Sequence, residues 1–280
     1  MPRHQKETLP PSPEQKEVIG IVGGMGPRAH IQLERYMLEA AEALLQACAD
    51  QDFPQWILSS IPQTPDRTAS MRGQGPDPTD LLTESLRKLR THLDEKARVV
   101  RGADFAVVAC ISAHKFIGEA AGKVGIPILN MVTESAAAIS ACWPGATVGL
   151  LATSGTLEDG FLHEAFRRSG LVPVSPVDLA DGSNVQQELV METIYGKPAG
   201  NGRHDGGIKG QGILVTHIEA LCEAARHLIE LGNAEVIFAG CTEIGLALSE
   251  DTICGVPLVD PMKIAAEAAV RRAYGLELNH

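Results

Sequence analysis

From Glu17 onward, short apolar runs rich in β-branched residues alternate with longer stretches of helical periodicity. The short runs are VIGIV (18–22), WILSSI (56–61), DFAVVAC (104–110) and IPILNMV (126–132), then TVGLLAT (147–153), VPVSPV (172–177), EVIFAGC (235–241) and PLVD (257–260). Between them lie amphipathic stretches at 28–47, 78–97, 161–170 and 214–232. Strands apolar on both faces and separated by such helices predict an α/β fold, with parallel sheets covered by helices on both sides. The first 16 residues are polar, carry four prolines and show no apolar period. They predict a disordered tail.

The pattern repeats. ADFAVVACISAH (103–114) and AEVIFAGCTEI (234–244) both approach a cysteine through an acid and an apolar strand. VIGIVGGMG (18–26) likewise matches VGLLATSG (148–155). Gly20 and Gly26 stand six apart, as do Gly149 and Gly155, and Cys110 and Cys241 follow the first glycine of each pair after 90 and 92 residues. Two lobes of one α/β plan follow from that spacing. Ligands of such sheets bind beyond the carboxyl ends of the strands, where both cysteines fall. Ser112 and Thr242 are expected to cap the helices that begin there. A thiol at a helix start meets the positive end of the backbone dipoles, which favours thiolate.

Two acid/base groups facing each other across a cleft suit inversion at a carbon. One removes a proton from one face and the other delivers a proton to the opposite face, and cysteine has a pKa near enough to neutrality for both tasks.

Composition narrows the partners. The 280 residues are 44% hydrophobic and 21% charged, enough for a substantial core in one large domain or two lobes, and the net charge of −11 argues against nucleic acid or an anionic membrane surface. No apolar run reaches membrane-spanning length and the N-terminus has no signal-peptide core, so a cytoplasmic location is expected. The six cysteines form no CxxC pairs, which predicts free thiols and no zinc knuckle. Of these, Cys48, Cys142, Cys222 and Cys254 read as buried packing residues. GIVGGMG lacks the GxGxxG spacing of a dinucleotide site, and no lysine setting for pyridoxal phosphate stands out. No cofactor is expected, and His204 with Asp205 is too small a set for a metal site.

GIVGGMGP (20–27), IPQTPDRT (61–68), ACISAHKF (109–116), GLLATSGT (149–156), IYG with GIKG (194–196, 207–210) and FAGCTEI (238–244) together resemble the aspartate/glutamate racemase superfamily. The GCTE run is similar to its aspartate racemase branch, and the resemblance spans about residues 17–275. It implies two pseudo-symmetric flavodoxin-like lobes with the active site between them, no cofactor and a homodimer. The expected lobes are 17–135 together with a returning 258–280, and 136–257. It implies Cys110 and Cys241 as catalytic thiols and Arg67 and Lys209 as partners of substrate carboxylates. Met25, Gly26, Ile111, Ser112, Thr153 and Thr242 would surround the amino acid, with His114 and Glu243 as auxiliaries. His114 could equally fill the interface between lobes.

Two departures stand out. Ile111 and Ser112 replace the asparagine and threonine of the family's CNTAH, and a missing amide weakens a polar substrate by about 1–3 kcal/mol. The segment 196–212 carries seven glycines and reads as a mobile flap bearing Lys209. The function expected is a cofactor-independent racemase of aspartate or a related acidic amino acid. A decarboxylase, an isomerase of the same superfamily and a non-catalytic amino-acid-binding protein remain open.

Overall fold

The computed structural model describes residues 14–93, 96, 98–180, 182–199 and 203–277. The first half runs β1 (Ile19–Gly23), α1 (Pro27–Leu45), β2 (Trp56–Ser60), α2 (Arg67–Met71) and α3 (Thr79–Leu89). It continues through the short β3 (His92–Leu93) and β4 (Val99–Val100), then β5 (Phe105–Val108), α4 (His114–Val124), β6 (Ile128–Leu129) and α5 (Met131–Cys142). The second half opens with β7 (Thr147–Ala152), α6 (Ser154–Asp159), α7 (Phe161–Arg168), β8 (Val172–Val174) and α8 (Gly182–Asn184). A wide helical turn over Val185–Met191 leads to α9 (Glu192–Tyr195), β9 (Gly196–Ala199), β10 (Arg203–Gly206), α10 (Ile208–Gln211) and α11 (Val215–Gly232). The chain closes with β11 (Val236–Gly240), α12 (Thr242–Ala247), β12 (Thr252–Ile253), β13 (Val256–Val259) and α13 (Pro261–Tyr274).

Two main sheets result. One has the order β2-β1-β5-β6, all parallel; the other has β12-β13-β11-β7-β8, parallel except for the β12 edge. Counted within its own half, each parallel set follows one order: second strand, first, third, fourth. The repeat seen in the sequence is thus a repeat of topology. Gly20 and Gly149 lie on the first strand of each set. A Cβ there would come within 2.9 Å of Ala103 Cβ and 2.6 Å of Ile237 Cδ1 respectively, so close packing beneath the strand demands glycine at both.

The helices cover the sheets with faces set by their periodicity. On α1 the buried positions include Ala29, Leu33, Tyr36, Met37 and Ala41, one stripe of a 3.6-residue repeat. The alanine-rich α13 follows the second sheet yet packs against α1 and α5 of the first half. Its N-cap Asp260 accepts from Met262 N at 2.9 Å and from the Tyr36 hydroxyl at 3.1 Å, which fixes both the helix start and its seat on α1. The largest apolar cluster accordingly joins residues of both halves, among them Ile21, Leu33, Phe105, Leu150, Phe238 and Ala269.

Three expectations are corrected. IPILNMV is a strand only at Ile128–Leu129, because the Asn130 side chain accepts from Val132 N and Thr133 N and starts α5. The helix expected over 78–97 stops at Leu89, where its buried stripe of Leu82, Leu86 and Leu89 runs out and the β3–β4 pair follows. The tail does not reach residue 16: Lys16 N donates to Ala273 O, and the Gln15 side chain bonds Gln55 through both its donor and its acceptor. Residues 1–13 of that predicted tail lie outside the described residues. Among the described residues no helix is long and apolar enough to cross a membrane.

Candidate active site

The loops after the first and third strands of each set converge. From the first half they bring Met25, Cys110, Ile111 and Ser112, and from the second Thr153, Thr156 and residues 240–243, around one narrow cleft that Lys209 also borders. Cys110 lies two residues past the β5 end, and Cys241 directly follows β11, its counterpart in the other sheet.

Cys110 is 4% exposed, and its Sγ lies 3.4 Å from Ser112 Oγ. Arg67, buried at the start of α2, holds a charge beside it. Burial opposes that charge, but interactions with Cys110, Asp66 and Tyr195 outweigh the cost and raise the Arg67 pKa. Its Nη1 donates to Thr64 O and Pro65 O and its Nη2 to Met25 O, which fixes the guanidinium. The Nε–H is buried without a protein acceptor. A buried orphan donor of a fixed cation is a ready partner for an anionic ligand oxygen.

His114 bonds the backbone of the Cys110 loop and not, among the described residues, the Cys110 thiol. Its Nδ1 donates to the carbonyls of Cys110 and Ile111 at 3.0 and 3.2 Å, pinning the backbone that carries the cysteine. Burial pushes its pKa down to about 4 against the raising effect of those two carbonyls, so the ring is neutral.

Cys241 meets the opposite charge. Its Sγ donates to Glu243 Oε2 at 3.0 Å, and the Thr242 hydroxyl donates to the same oxygen at 3.1 Å. Burial and the Glu243 anion push the thiol well above its ordinary value, against a smaller opposing pull from Lys209. Glu243 is 4% exposed; burial works to raise its pKa, yet Lys209 and the bonds from Cys241 and Thr242 hold it below the usual carboxylate range. Lys209 Nζ lies 3.6 Å from Glu243 Oε1 and 4.7 Å from the Tyr195 ring centroid. Desolvation works against the ammonium, but the Glu243 and Tyr195 fields prevail and raise its pKa.

Behind the cleft a hydroxyl chain joins the two halves. Thr68 Oγ1 donates to Thr153 Oγ1 at 2.9 Å, and Thr153 Oγ1 lies 2.9 Å from Thr156 Oγ1. The Tyr195 hydroxyl donates to Asp66 Oδ2 at 3.0 Å and stands 3.4 Å from Thr68 Oγ1. Thr68, Thr156 and Tyr195 are absent from the site expected from sequence. The signal for Thr68 and Thr156 lay in PDRT and SGT, within three residues of Arg67 and Thr153, and that for Tyr195 lay in the IYG motif itself.

Several expectations change here. Neither Ser112 nor Thr242 caps a helix: α4 has Ala113 as its N-cap and α12 has Cys241, while the two hydroxyls turn to Cys110 and Glu243. The thiolate expected at the α12 start is overturned for Cys241, because burial and Glu243 outweigh any dipole of so short a helix. Ile111 lines the cleft with a side chain only 1% exposed that belongs to the main apolar cluster. Gly26 lies one step outside, in the wall of an adjoining cavity. The segment read as a flap is a β9–β10 hairpin followed by α10. His204 there faces the Tyr195 ring with centroids 6.2 Å apart, and Asp205 accepts from Gln211. The supposed packing cysteines are not buried: Cys48, Cys142 and Cys254 are exposed and Cys222 is intermediate, whereas Cys110 and Cys241 are buried.

Comparison with known proteins agrees with this layout. A family model described as Asp/Glu/hydantoin racemase matches residues 22–269. A broad specificity amino-acid racemase, RacX, from Bacillus subtilis (strain 168) is 21% identical over 253 residues, covering 90% of this chain and 96% of its own. In structure the chain is similar to an aspartate racemase of Picrophilus torridus, with a TM-score of 0.68 and 22% identity over 94% of this chain and 96% of that one. An aspartate racemase homologue from Pyrococcus horikoshii OT3 gives a TM-score of 0.62 and 19% identity over 92% and 99% of the two chains.

Proposed function

Since the chain belongs to the Asp/Glu/hydantoin racemase family, we propose that it inverts the α-carbon of an acidic amino acid with Cys110 and Cys241 as opposed acid and base. The family makes it an amino-acid racemase, and hence an isomerase acting on small amino acids. The observation that carries the two-thiol reading is the pair of buried cysteines bordering one small cleft from equivalent strand ends of two sheets.

The charges beside the thiols assign their parts. Cys241 donates a hydrogen bond to the Glu243 carboxylate and is held protonated, so it is the acid when Cys110 takes the α-proton from the other face. Cys110 lies beside the fixed guanidinium of Arg67, whose orphan Nε–H is free to hold a carboxylate. As the α-proton leaves, charge spreads into that carboxylate, and a fixed cation in a desolvated cleft stabilises it more than water does. In the reverse direction the thiols exchange parts. Arg67 and Lys209, together with the aspartate racemase named among the structural relatives, favour aspartate or a related acid as substrate. The same reading includes a cytoplasmic homodimer, to be tested by cell fractionation and light scattering.

Deuterium uptake from D₂O at the α-carbon, followed by NMR across L- and D-amino acids without added cofactor, tests the proposal. Aspartate or a related acid should exchange and invert. Cys110→Ser and Cys241→Ser should each lower inversion by about 10²–10⁴-fold while substrate still binds. Full inversion in either variant would end the two-base assignment.

A further inference from the structure

Beyond the Lys209–Glu243 ion pair lies a second, outer cavity of about 330 Å³, bordered by Gly26, Pro27, Arg28, Ile208, Leu246 and that same pair. Lys209 and Glu243 border both spaces and form the wall that the thiol cleft and the outer cavity share. Gly26 borders the outer cavity on the Glu243 side, where a Cβ would stand 3.7 Å from Glu243 Oε1. Pro27, Ile208 and Leu246 make the walls apolar.

The charges of this cavity differ from those of the rest of the protein. Two cations and one acid border it, in a chain of net charge −11. Lys209 is matched by Glu243, whereas Arg28 has no carboxylate partner among the described residues and donates only to the carbonyl of Ile208, at 3.2 Å from Nη1. An unmatched guanidinium at the end of an apolar channel suits a ligand with a methylene stem and an anionic tip.

We propose that the outer cavity is a side-chain subsite, read by Arg28, for amino acids whose side chain is longer than aspartate's and ends in an anion. The proposal rests on the racemase reading, which places the α-carbon between the thiols. From there a short side chain reaches only Lys209, already held by Glu243. A longer one passes the ion pair, lays its methylenes on Ile208 and Leu246 and sets its carboxylate on Arg28. Each methylene buried this way is worth about fourfold in affinity.

Calorimetry with aspartate, glutamate, 2-aminoadipate and the uncharged norleucine, on the native protein and on Arg28→Gln, Arg28→Lys and Leu246→Trp, tests it beside the α-hydrogen exchange assay. Affinity should rise from aspartate to 2-aminoadipate. Arg28→Gln should weaken 2-aminoadipate about tenfold more than norleucine, Arg28→Lys should restore most of that gap, and Leu246→Trp should penalise 2-aminoadipate more than aspartate. Tightest binding by aspartate overturns the subsite. So does an equal loss for every ligand in Arg28→Gln, which would make Arg28 only a latch on the Ile208 carbonyl. Exchange without an Arg28-dependent preference removes the subsite and leaves the racemase reading standing. Arg28-dependent binding without exchange of any amino acid does the reverse.

Discussion

The Cys241 thiol and the Glu243 carboxylate, two residues apart at the start of α12, are joined by a 3.0 Å hydrogen bond in which sulfur is the donor. The bond puts an anion against the group proposed as the acid. Glu243→Gln removes that anion, so the thiol ionises more readily and the acid is lost at lower pH. The descending limb of the racemisation pH profile should move down by roughly one pH unit. A limb that stays in place would mean that Glu243 does not govern Cys241.

His114 links the site to acid stability. Its pKa is lowered to about 4 in the fold by burial, against an ordinary value of 6.5. Below 6.5 the unfolded chain therefore binds a proton that the folded chain does not. Stability from the neutral ring is present in full above that pH and is lost as pH falls toward 4, with an upper limit on the order of 3 kcal/mol. Denaturant midpoints measured from pH 7 to pH 4 should fall less steeply for His114→Gln than for the native protein.

Tyr195 acts on Lys209 through its ring and on Asp66 and Thr68 through its hydroxyl. These functions can be separated. Tyr195→Leu removes the platform for the ammonium and should raise KM by roughly 2- to 5-fold, the equivalent of 0.5–1 kcal/mol. Tyr195→Phe keeps the ring and should change KM less, while loosening the contact between α2 and α9. Steady-state kinetics and thermal melts on the two variants distinguish the effects.

Ile111→Asn, which restores the family's residue, should cost about 1–3 kcal/mol of stability here, measured from the denaturation midpoint. Its side chain is 1% exposed within the main apolar cluster, so an amide placed there has to leave that cluster or lose its water. A neutral outcome would mean that the amide turns into the cleft.

The strands were legible because each run is apolar on both faces, and the repeat was legible because close packing at Gly20 and Gly149 tolerates no side chain. Both cysteines could be placed at the cleft because strand ends mark the ligand side of such sheets, whereas Lys209 came from the family resemblance alone. Charge coupling was not legible. That Glu243 would raise the Cys241 pKa, and that Ser112 and Thr242 would serve side chains rather than cap helices, depends on distances across turns that no periodicity encodes. Tyr195 was missed because its partners Asp66 and Lys209 come from separate parts of the chain and meet only in the fold.

The shared strand order of the two sheets bears on a thermodynamic constraint. Mirror-image amino acids have equal free energy in water, so a racemase must show the same kcat/KM ratio in both directions whatever its shape. Two topologically equivalent halves present each enantiomer with the same framework in reversed order. Unlike neighbours, Arg67 on one side and Glu243 on the other, still let kcat and KM differ between enantiomers. Those differences must compensate, so a change that slows turnover of one hand has to tighten its binding relative to the other hand in equal measure.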